Sequence, residues 1–259
     1  MQVLNLTGKS IVIIGGTTGL GFSAALCFVK CGARVVIVGR DKENLGMARK
    51  KLGRSALALA GDAANPATAA RAIELAARKF GRLDGLYHVA GGSGRRWGDG
   101  PTHEMTDEGW HKTLDWNLSS VMYSNRAALR QFLAQGSGGS ILNLGSVLAG
   151  SPSPAYFSTH AYAAAKAGIV GLSKSIAACY AGQSIRCNVL EPSLTDTPMA
   201  QRSISSEKIM RVVRARQALD GGRAGQPADL DGAAAYFMSD ASKFTTGQVL
   251  AVDGGWCLA

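Results

Sequence analysis

Between Ser10 and Val252, short β-branched runs alternate with longer stretches of helical periodicity, and nothing else in the chain constrains its fold as strongly. Ser10–Ile14, Arg34–Val38, Ala56–Ala60, Leu83–Val89, Ser140–Leu144, Ile185–Leu190 and Gln248–Val252 read as strands. Val and Ile follow one another without polar alternation, the pattern of strands buried on both faces. Helical periodicity covers Gly19–Cys31, Lys42–Leu52, Pro66–Phe80, Thr106–Gln135, His160–Gly182, Ser205–Gln217 and Ala228–Ser239. Alternation of this kind calls for an α/β fold, a parallel sheet with helices on both faces and right-handed crossovers. Many of the 33 glycines directly follow apolar runs, which marks tight turns at strand ends. No Pro-, Gly- and Ser-rich linker divides the chain, so residues 1–259 are expected to form a single domain. The loops Gly92–Gly100 and Ser151–Thr159 fall at strand ends, where such sheets place their sites.

The net charge of +10 raises the question of nucleic-acid or membrane partners. The basic residues are scattered, apart from Arg49-Lys50-Lys51 and the group from Arg211 to Arg214, and no basic stripe is interleaved with aromatics. The excess charge reads as a field favouring anionic ligands, and no nucleic-acid partner is expected. Five Cys, an odd number, occur with no CxxC and no His at metal-ligand spacing. No metal site is expected, and a reduced, cytoplasmic setting fits best. The start, MQVLNLTGKS, lacks the charged and apolar regions of a signal peptide. The apolar runs are too short to span a bilayer, so no membrane partner is expected.

After the first strand comes Gly15-Gly16-Thr17-Thr18-Gly19-Leu20-Gly21, which leads straight into a helix. Gly15 suits the tight turn leaving the strand, Gly19 a close backbone approach to a pyrophosphate, and Gly21 close packing of the helix on the sheet. The helix N-terminus offers free N–H groups to the phosphates. This makes the expected fold Rossmann-type: doubly wound, with a seven-stranded parallel sheet. A carboxylate at the tip of the second strand would grip the adenosine ribose and repel a 2′-phosphate. Gly39 holds that position and Arg40 follows, which favours NADP(H) over NAD(H). The other reading leaves Arg40 on the surface, gives the ribose to Asp41 and admits NAD(H).

Tyr162 and Lys166 lie four residues apart on a helical stretch, so both project from one face. A free Tyr titrates near about 10, and a neighbouring ammonium lowers that value by stabilising the tyrosinate. Ser146 follows the strand Ser140–Leu144, where a hydroxyl can hold a substrate oxygen beside the Tyr. Asn117 sits within a helical stretch that its propensity does not favour. Two explanations stand side by side, a backbone adjustment that lets it hold a relay water and a solvent-facing side chain.

Together these features resemble the short-chain dehydrogenase/reductase family, over about Leu6 to Gly255. The resemblance implies catalytic roles for Asn117, Ser146, Tyr162 and Lys166. It implies cofactor contacts from Gly15, Thr17, Thr18, Gly19, Leu20, Gly21 and Arg40, and from Asp62 and Ala63 at the adenine. Ala90 and Gly91, Tyr162 and Lys166, and Pro192, Thr195 and Thr197 near the nicotinamide complete that set. Asp253-Gly254-Gly255 matches the family's usual ending. Ile14 replaces its usual Thr, His88-Val89 its usual Asn-Asn, and Ser193 its Gly after the Pro. His88 is read as a buried structural histidine, with a proton shuttle as the other reading. The stretch between Ser146 and Tyr162 is longer than the family often has. Tyr156 and His160 from it, with Ser146 and Tyr162, are the expected substrate contacts, and Phe157 lies on the same loop.

The expected reaction moves a hydride between the nicotinamide and a small carbonyl or alcohol, with Tyr162 as acid/base. Ser146 stabilises the developing alkoxide. The family resemblance also implies a homotetramer or homodimer built on the long helices. Three alternatives remain: a non-catalytic NADP(H)-sensing regulator, a ketoacyl thioester reductase, and an enoyl reductase. The last is disfavoured by Thr159, which stands seven residues before Lys166 where such enzymes carry Tyr. Arg95-Arg96-Trp97 could grip an acidic or aromatic substrate, or form a solvated basic loop with one packed Trp.

Overall fold

A computed structural model of the chain describes residues 4–154 and 156–259. Strands β1 (Ser10–Ile14), β2 (Arg34–Gly39), β3 (Ala56–Ala60), β4 (Gly85–His88), β5 (Gly139–Leu144), β6 (Ile185–Pro192) and β7 (Val249–Val252) form one sheet. Their order is β3-β2-β1-β4-β5-β6-β7 and every pairing is parallel. Helices α1 (Gly19–Lys30), α2 (Lys42–Leu52) and α3 (Pro66–Phe80) come first, followed by α4 (Asp107–Leu114), α5 (Ser120–Gln135) and α6 (His160–Tyr180). A short α7 (Gln201–Ile204), α8 (Glu207–Arg216) and α9 (Asp231–Met238) complete the set. The architecture is the expected Rossmann-type α/β fold.

Alternate residues of β1 feed two cores. Ile11 and Ile13 pack with Phe28 of α1, Leu45 of α2 and Phe237 of α9. Val12 and Ile14 pack with Ala72 of α3, Phe132 of α5 and Ile176 of α6. All four β1 side chains are essentially sealed from water, which is why the strand shows no polar alternation.

Element boundaries moved where a local bond competes with the ladder. The fourth strand is shorter than Leu83–Val89 because the Leu83 N–H goes to Gln135 Oε1 at 3.2 Å. At its other end the Val89 and Ala90 N–H groups both donate to the Ile14 carbonyl, which bends the chain out of the sheet. The long periodicity of Thr106–Gln135 is broken by a π turn over Asp115–Ser119. Helix α9 is shorter than its periodicity because Pro227–Leu230 forms a separate tight turn.

The chain direction splits between β1 and β4, and the crevice beyond their C-terminal ends is the place where this topology binds ligands.

Candidate active site

The loop from Gly15 to Leu20 floors a groove at this crevice, with Val38–Arg40, Gly61–Ala63, Ala90 and Gly91 along its sides. Gly15 has φ 89°, and a Cβ there would press on the Ala90 nitrogen at 2.7 Å. A Cβ at Gly21 would strike the Gly15 carbonyl, so this glycine lets α1 close on the loop itself rather than on the sheet. Gly21 therefore sits behind the groove, while Thr17, Thr18, Gly19 and Leu20 line it. Helix α1 starts with no side-chain cap at Thr18 and no acidic residue in its first turn. Asp41 and Asn65 cap the next two helices. The open N–H groups and the dipole of α1 thus face the groove, a site built for phosphate.

A side chain at the tip of β2 would crowd Thr17. A Cβ at Gly39 would lie 2.5 Å from Thr17 Cγ2 and 2.6 Å from its Oγ1. Asp41, the alternative acid, accepts from the Asn44 N–H at 2.7 Å and is committed to its helix. Arg40 stays half-exposed, 3.9 Å from the Asp62 carboxylate and 5.2 Å from the centroid of the Trp116 ring. Asp62, Ala63, Thr197 and Met199 also line the groove, as does Trp116, which sequence reasoning missed.

A second cavity adjoins the first, sharing Leu20, Leu144, Thr197 and Met199 with it. Ser146 and Tyr162 line it, with Pro192 and Thr195 on the wall below. Ser146 is pinned at the end of β5, its Oγ accepting from the Leu148 N–H at 3.2 Å. Lys166 is buried one turn along α6 from Tyr162 and donates to the Leu144 carbonyl at 2.7 Å. Its ammonium lies 5.5 Å from the centroid of the Tyr162 ring. The expected lowering of the Tyr162 pKa by Lys166 is absent. Burial pushes the phenol up to about 12, and a hydrogen bond with Ser146 is what counters it. Burial also pushes Lys166 down to about 8, opposed by Glu191. Glu191 is itself pushed up to about 7 by burial, with Lys166 pulling it back. Its Oε1 is buried with no hydrogen-bond partner among the described residues. Sequence reasoning gave Glu191 no role.

Asn117 lies in the π turn and is fully buried, which removes the solvent-facing reading. Its Oδ1 accepts from the Gly92 N–H, and its Nδ2 donates to the carbonyls of Gly92 and Thr113, all at 2.9 Å. Gly91 must be glycine for this packing, because a Cβ would sit 2.6 Å from Asn117 Oδ1 and 3.7 Å from Lys166 Nζ. His88 is buried behind them, 2.7 Å from Ser124 Oγ and 3.1 Å from the Ala90 carbonyl. Burial, then the charge of Lys166, push it down to about 3.

Two expected substrate contacts lie elsewhere. The Tyr156 side chain is exposed, and its backbone carbonyl accepts from Arg95 at 2.8 Å. The His160 ring turns away to Thr102, whose N–H donates to Nδ1 at 3.1 Å. Phe157 lines the cavity instead, edge-on to Trp256 at 5.6 Å between centroids. Trp256 follows the Asp253-Gly254-Gly255 turn and is buried, its indole N–H donating to the Ser151 carbonyl at 3.1 Å.

The arrangement joins a phosphate-binding groove to a cavity carrying a phenol and a hydroxyl, the construction of a dinucleotide-dependent oxidoreductase. Residues 15–257 match the family model described as enoyl-(acyl carrier protein) reductase. The chain is 33% identical to L-rhamnose-1-dehydrogenase of Scheffersomyces stipitis, with 96% of each chain covered. It superposes on a short-chain type dehydrogenase/reductase from Mycobacterium ulcerans with a TM-score of 0.90 and 30% identity, covering 98% of this chain and 92% of that one. The NADPH-dependent 3-quinuclidinone reductase of Rhodotorula rubra matches with a TM-score of 0.87 and 31% identity, over 98% and 93%. The chain belongs to the short-chain dehydrogenase/reductase family. It is an oxidoreductase of small molecules that works with a nicotinamide cofactor.

Proposed function

We propose that the chain is an NADP(H)-dependent carbonyl reductase or alcohol dehydrogenase in which Tyr162 is the proton donor and acceptor. The observation that carries this reading is the shared wall between groove and cavity. It sets the phenol and the Ser146 hydroxyl beside the end of a groove whose far end presents Arg40. The uncapped start of α1 and the glycine contacts fit a dinucleotide there. Arg40, with no acid at Gly39 to oppose it, would pair with a 2′-phosphate. NAD(H) remains the weaker ligand. When bound, the nicotinamide supplies a hydride to a carbonyl carbon or takes one from an alcohol.

In the reductive direction Ser146 donates a hydrogen bond to the substrate oxygen and favours it as charge develops. Tyr162 gives its phenolic proton to that oxygen, and the carbonyl becomes an alcohol. A phenol near 12 holds its proton firmly, and the groups that favour the tyrosinate that remains are the Ser146 hydroxyl and the positive charge that an oxidised nicotinamide would bring. Both amide hydrogens of Asn117 are already bonded, so the side chain braces Gly92. The opened backbone of the π turn is left to hold a water that returns the proton.

The enoyl reading suggested by the family model's description meets Thr159 in the cavity wall, where no second phenol is available. A sensor without turnover would need no paired Ser146 and Tyr162. A ketoacyl thioester remains one admissible substrate class. We further read the protein as a cytoplasmic homodimer or homotetramer. The bare side chains of Phe244 and Leu258, the partly exposed Leu250 and the small exposed residues Ala164, Ala167 and Gly171 of α6 support association. No described helix is long and apolar enough to cross a membrane.

The test pairs turnover with binding. Tyr162→Phe should abolish NADPH oxidation on every accepted ketone while NADPH binding by calorimetry stays nearly intact. NADPH should bind more tightly than NADH, and Arg40→Ala should erode the difference. Near-normal turnover in Tyr162→Phe would reject the assignment, and equal affinity for the two cofactors would reject the choice of NADP(H).

A further inference from the structure

The wall of the catalytic cavity is apolar, with Val147, Leu148, Phe157, Leu194 and Trp256 around Ser146 and Tyr162. Arg95 and Arg202 are the two charged side chains in its lining. They come from different elements, Arg95 from the tight turn Arg95–Trp97 after β4 and Arg202 from α7 after β6. The fold therefore brings two cations to one cavity from distant parts of the chain. Neither has a carboxylate partner within ion-pair distance among the described residues. Arg95 spends one nitrogen on the Tyr156 carbonyl at 2.8 Å. Asp99 is the acid whose charge favours Arg95, yet its two oxygens accept from the N–H groups of Ala161 and Tyr162. Burial, and then repulsion by Arg202, hold the Arg95 guanidinium below its usual pKa. Two like charges are thus held within each other's field beside an apolar wall, an arrangement that an anion relieves.

We infer that the substrate carries a carboxylate, bound by Arg95 and Arg202 while its carbonyl or alcohol group lies against Ser146 and Tyr162. The inference rests on the carbonyl-reductase reading for the second half of that sentence and on the cavity alone for the first. A guanidinium meets a carboxylate through parallel hydrogen bonds, which fixes orientation as well as adding affinity. The apolar wall between the two ends then accommodates the hydrocarbon body of the substrate. Both arginines keep contact with solvent, so an uncharged analogue forgoes the charge-assisted bonds to them.

The test uses benzoate and benzamide, which share shape and differ in charge, titrated into the full chain by calorimetry with NADP⁺ present and absent. Benzoate should bind at least about tenfold more tightly than benzamide, the difference expected for hydrogen bonds to a charged group. Arg95→Gln and Arg202→Gln should each weaken benzoate about tenfold and leave benzamide unchanged. Equal affinity for the two probes, no benzoate binding, or variants that bind benzoate normally would overturn the inference. A parallel arm follows NADPH oxidation with 4-oxo acids, their methyl esters and acetoacetyl-coenzyme A. Faster turnover of the free acids than of the esters, lost in Arg202→Gln, supports the inference. Preference for the esters or the thioester overturns it while leaving the carbonyl-reductase reading in place. Benzoate binding as described with no turnover of any carbonyl would retain the carboxylate subsite and reject the reductase reading.

Discussion

At the scale of single residues, burial dominates the chemistry of this site. His88 shows it most plainly, because it is fully buried with both ring nitrogens engaged. Its pKa falls to about 3, first through burial and then through Lys166. Above pH about 6.5 the ring is neutral in both the folded and unfolded chain and adds no pH dependence. Below that the unfolded chain takes up a proton that the folded chain refuses until pH about 3, so stability falls as pH falls. At pH 5 the loss from this one group is about 2 kcal/mol. Urea denaturation of the parent and of His88→Asn at pH 7 and pH 5 should show a smaller acid loss in the variant. Equal losses would show that His88 takes its proton in the folded state. A buried ring with both nitrogens engaged fits the structural role rather than that of a proton shuttle. The same burial explains why Tyr162 stands at about 12 without a cofactor: proximity of Lys166 along a helix does not bring an ammonium to a phenolic oxygen.

At the scale of elements, helix α6, which carries Tyr162 and Lys166, is held by a residue that its own sequence does not contain. Its N-cap, Thr159, makes no side-chain bond to the helix N–H groups. Asp99 of the loop between β4 and α4 serves instead, one oxygen 3.0 Å from the Ala161 N–H and the other 3.1 Å from the Tyr162 N–H. Loss of a cap costs roughly 1–2 kcal/mol. Asp99→Ala should destabilise the protein by about that much. It should also lower kcat several-fold with little change in NADPH affinity, because the bond it removes is to the backbone of Tyr162. Asp99→Asn, which keeps one acceptor, should lie between. Unchanged kcat in Asp99→Ala would mean that α6 is placed by its packing alone. Here the limits of reading a sequence are physical. Apolar runs located the strands, and Gly15, Ser146, Tyr162 and Lys166 are spaced along one element or across one turn, so local order reveals them. Asp99, Trp116, Glu191, Arg202 and Trp256 acquire their places only when distant segments meet. Tyr156 and His160 went astray for a related reason. A loop on the substrate side has two faces, and no local pattern says which side chains turn inward.

At the scale of the whole molecule, the edge formed by β7 and the last residues is apolar and open. Val249 and Leu250 of the edge strand are more than a third exposed, and Phe244 and Leu258 are bare. Exposed edge strands with apolar side chains invite pairing with another copy. Sedimentation at micromolar concentration should therefore report a dimer or tetramer, and Leu250→Glu together with Phe244→Glu should shift it toward monomer. A monomeric parent protein would reject that reading. The last turn has another consequence. Trp256 completes the cavity wall and is tied to Ser151, while the loop from Gly15 to Leu20 that floors the groove lies almost at the other end of the chain. A domain folds as a unit. Groove and cavity each draw on segments far apart in the chain, Gly15 with Thr197 in one and Ser146 with Trp256 in the other, so neither exists before the sheet is complete and no fragment of the chain should hold half of the site.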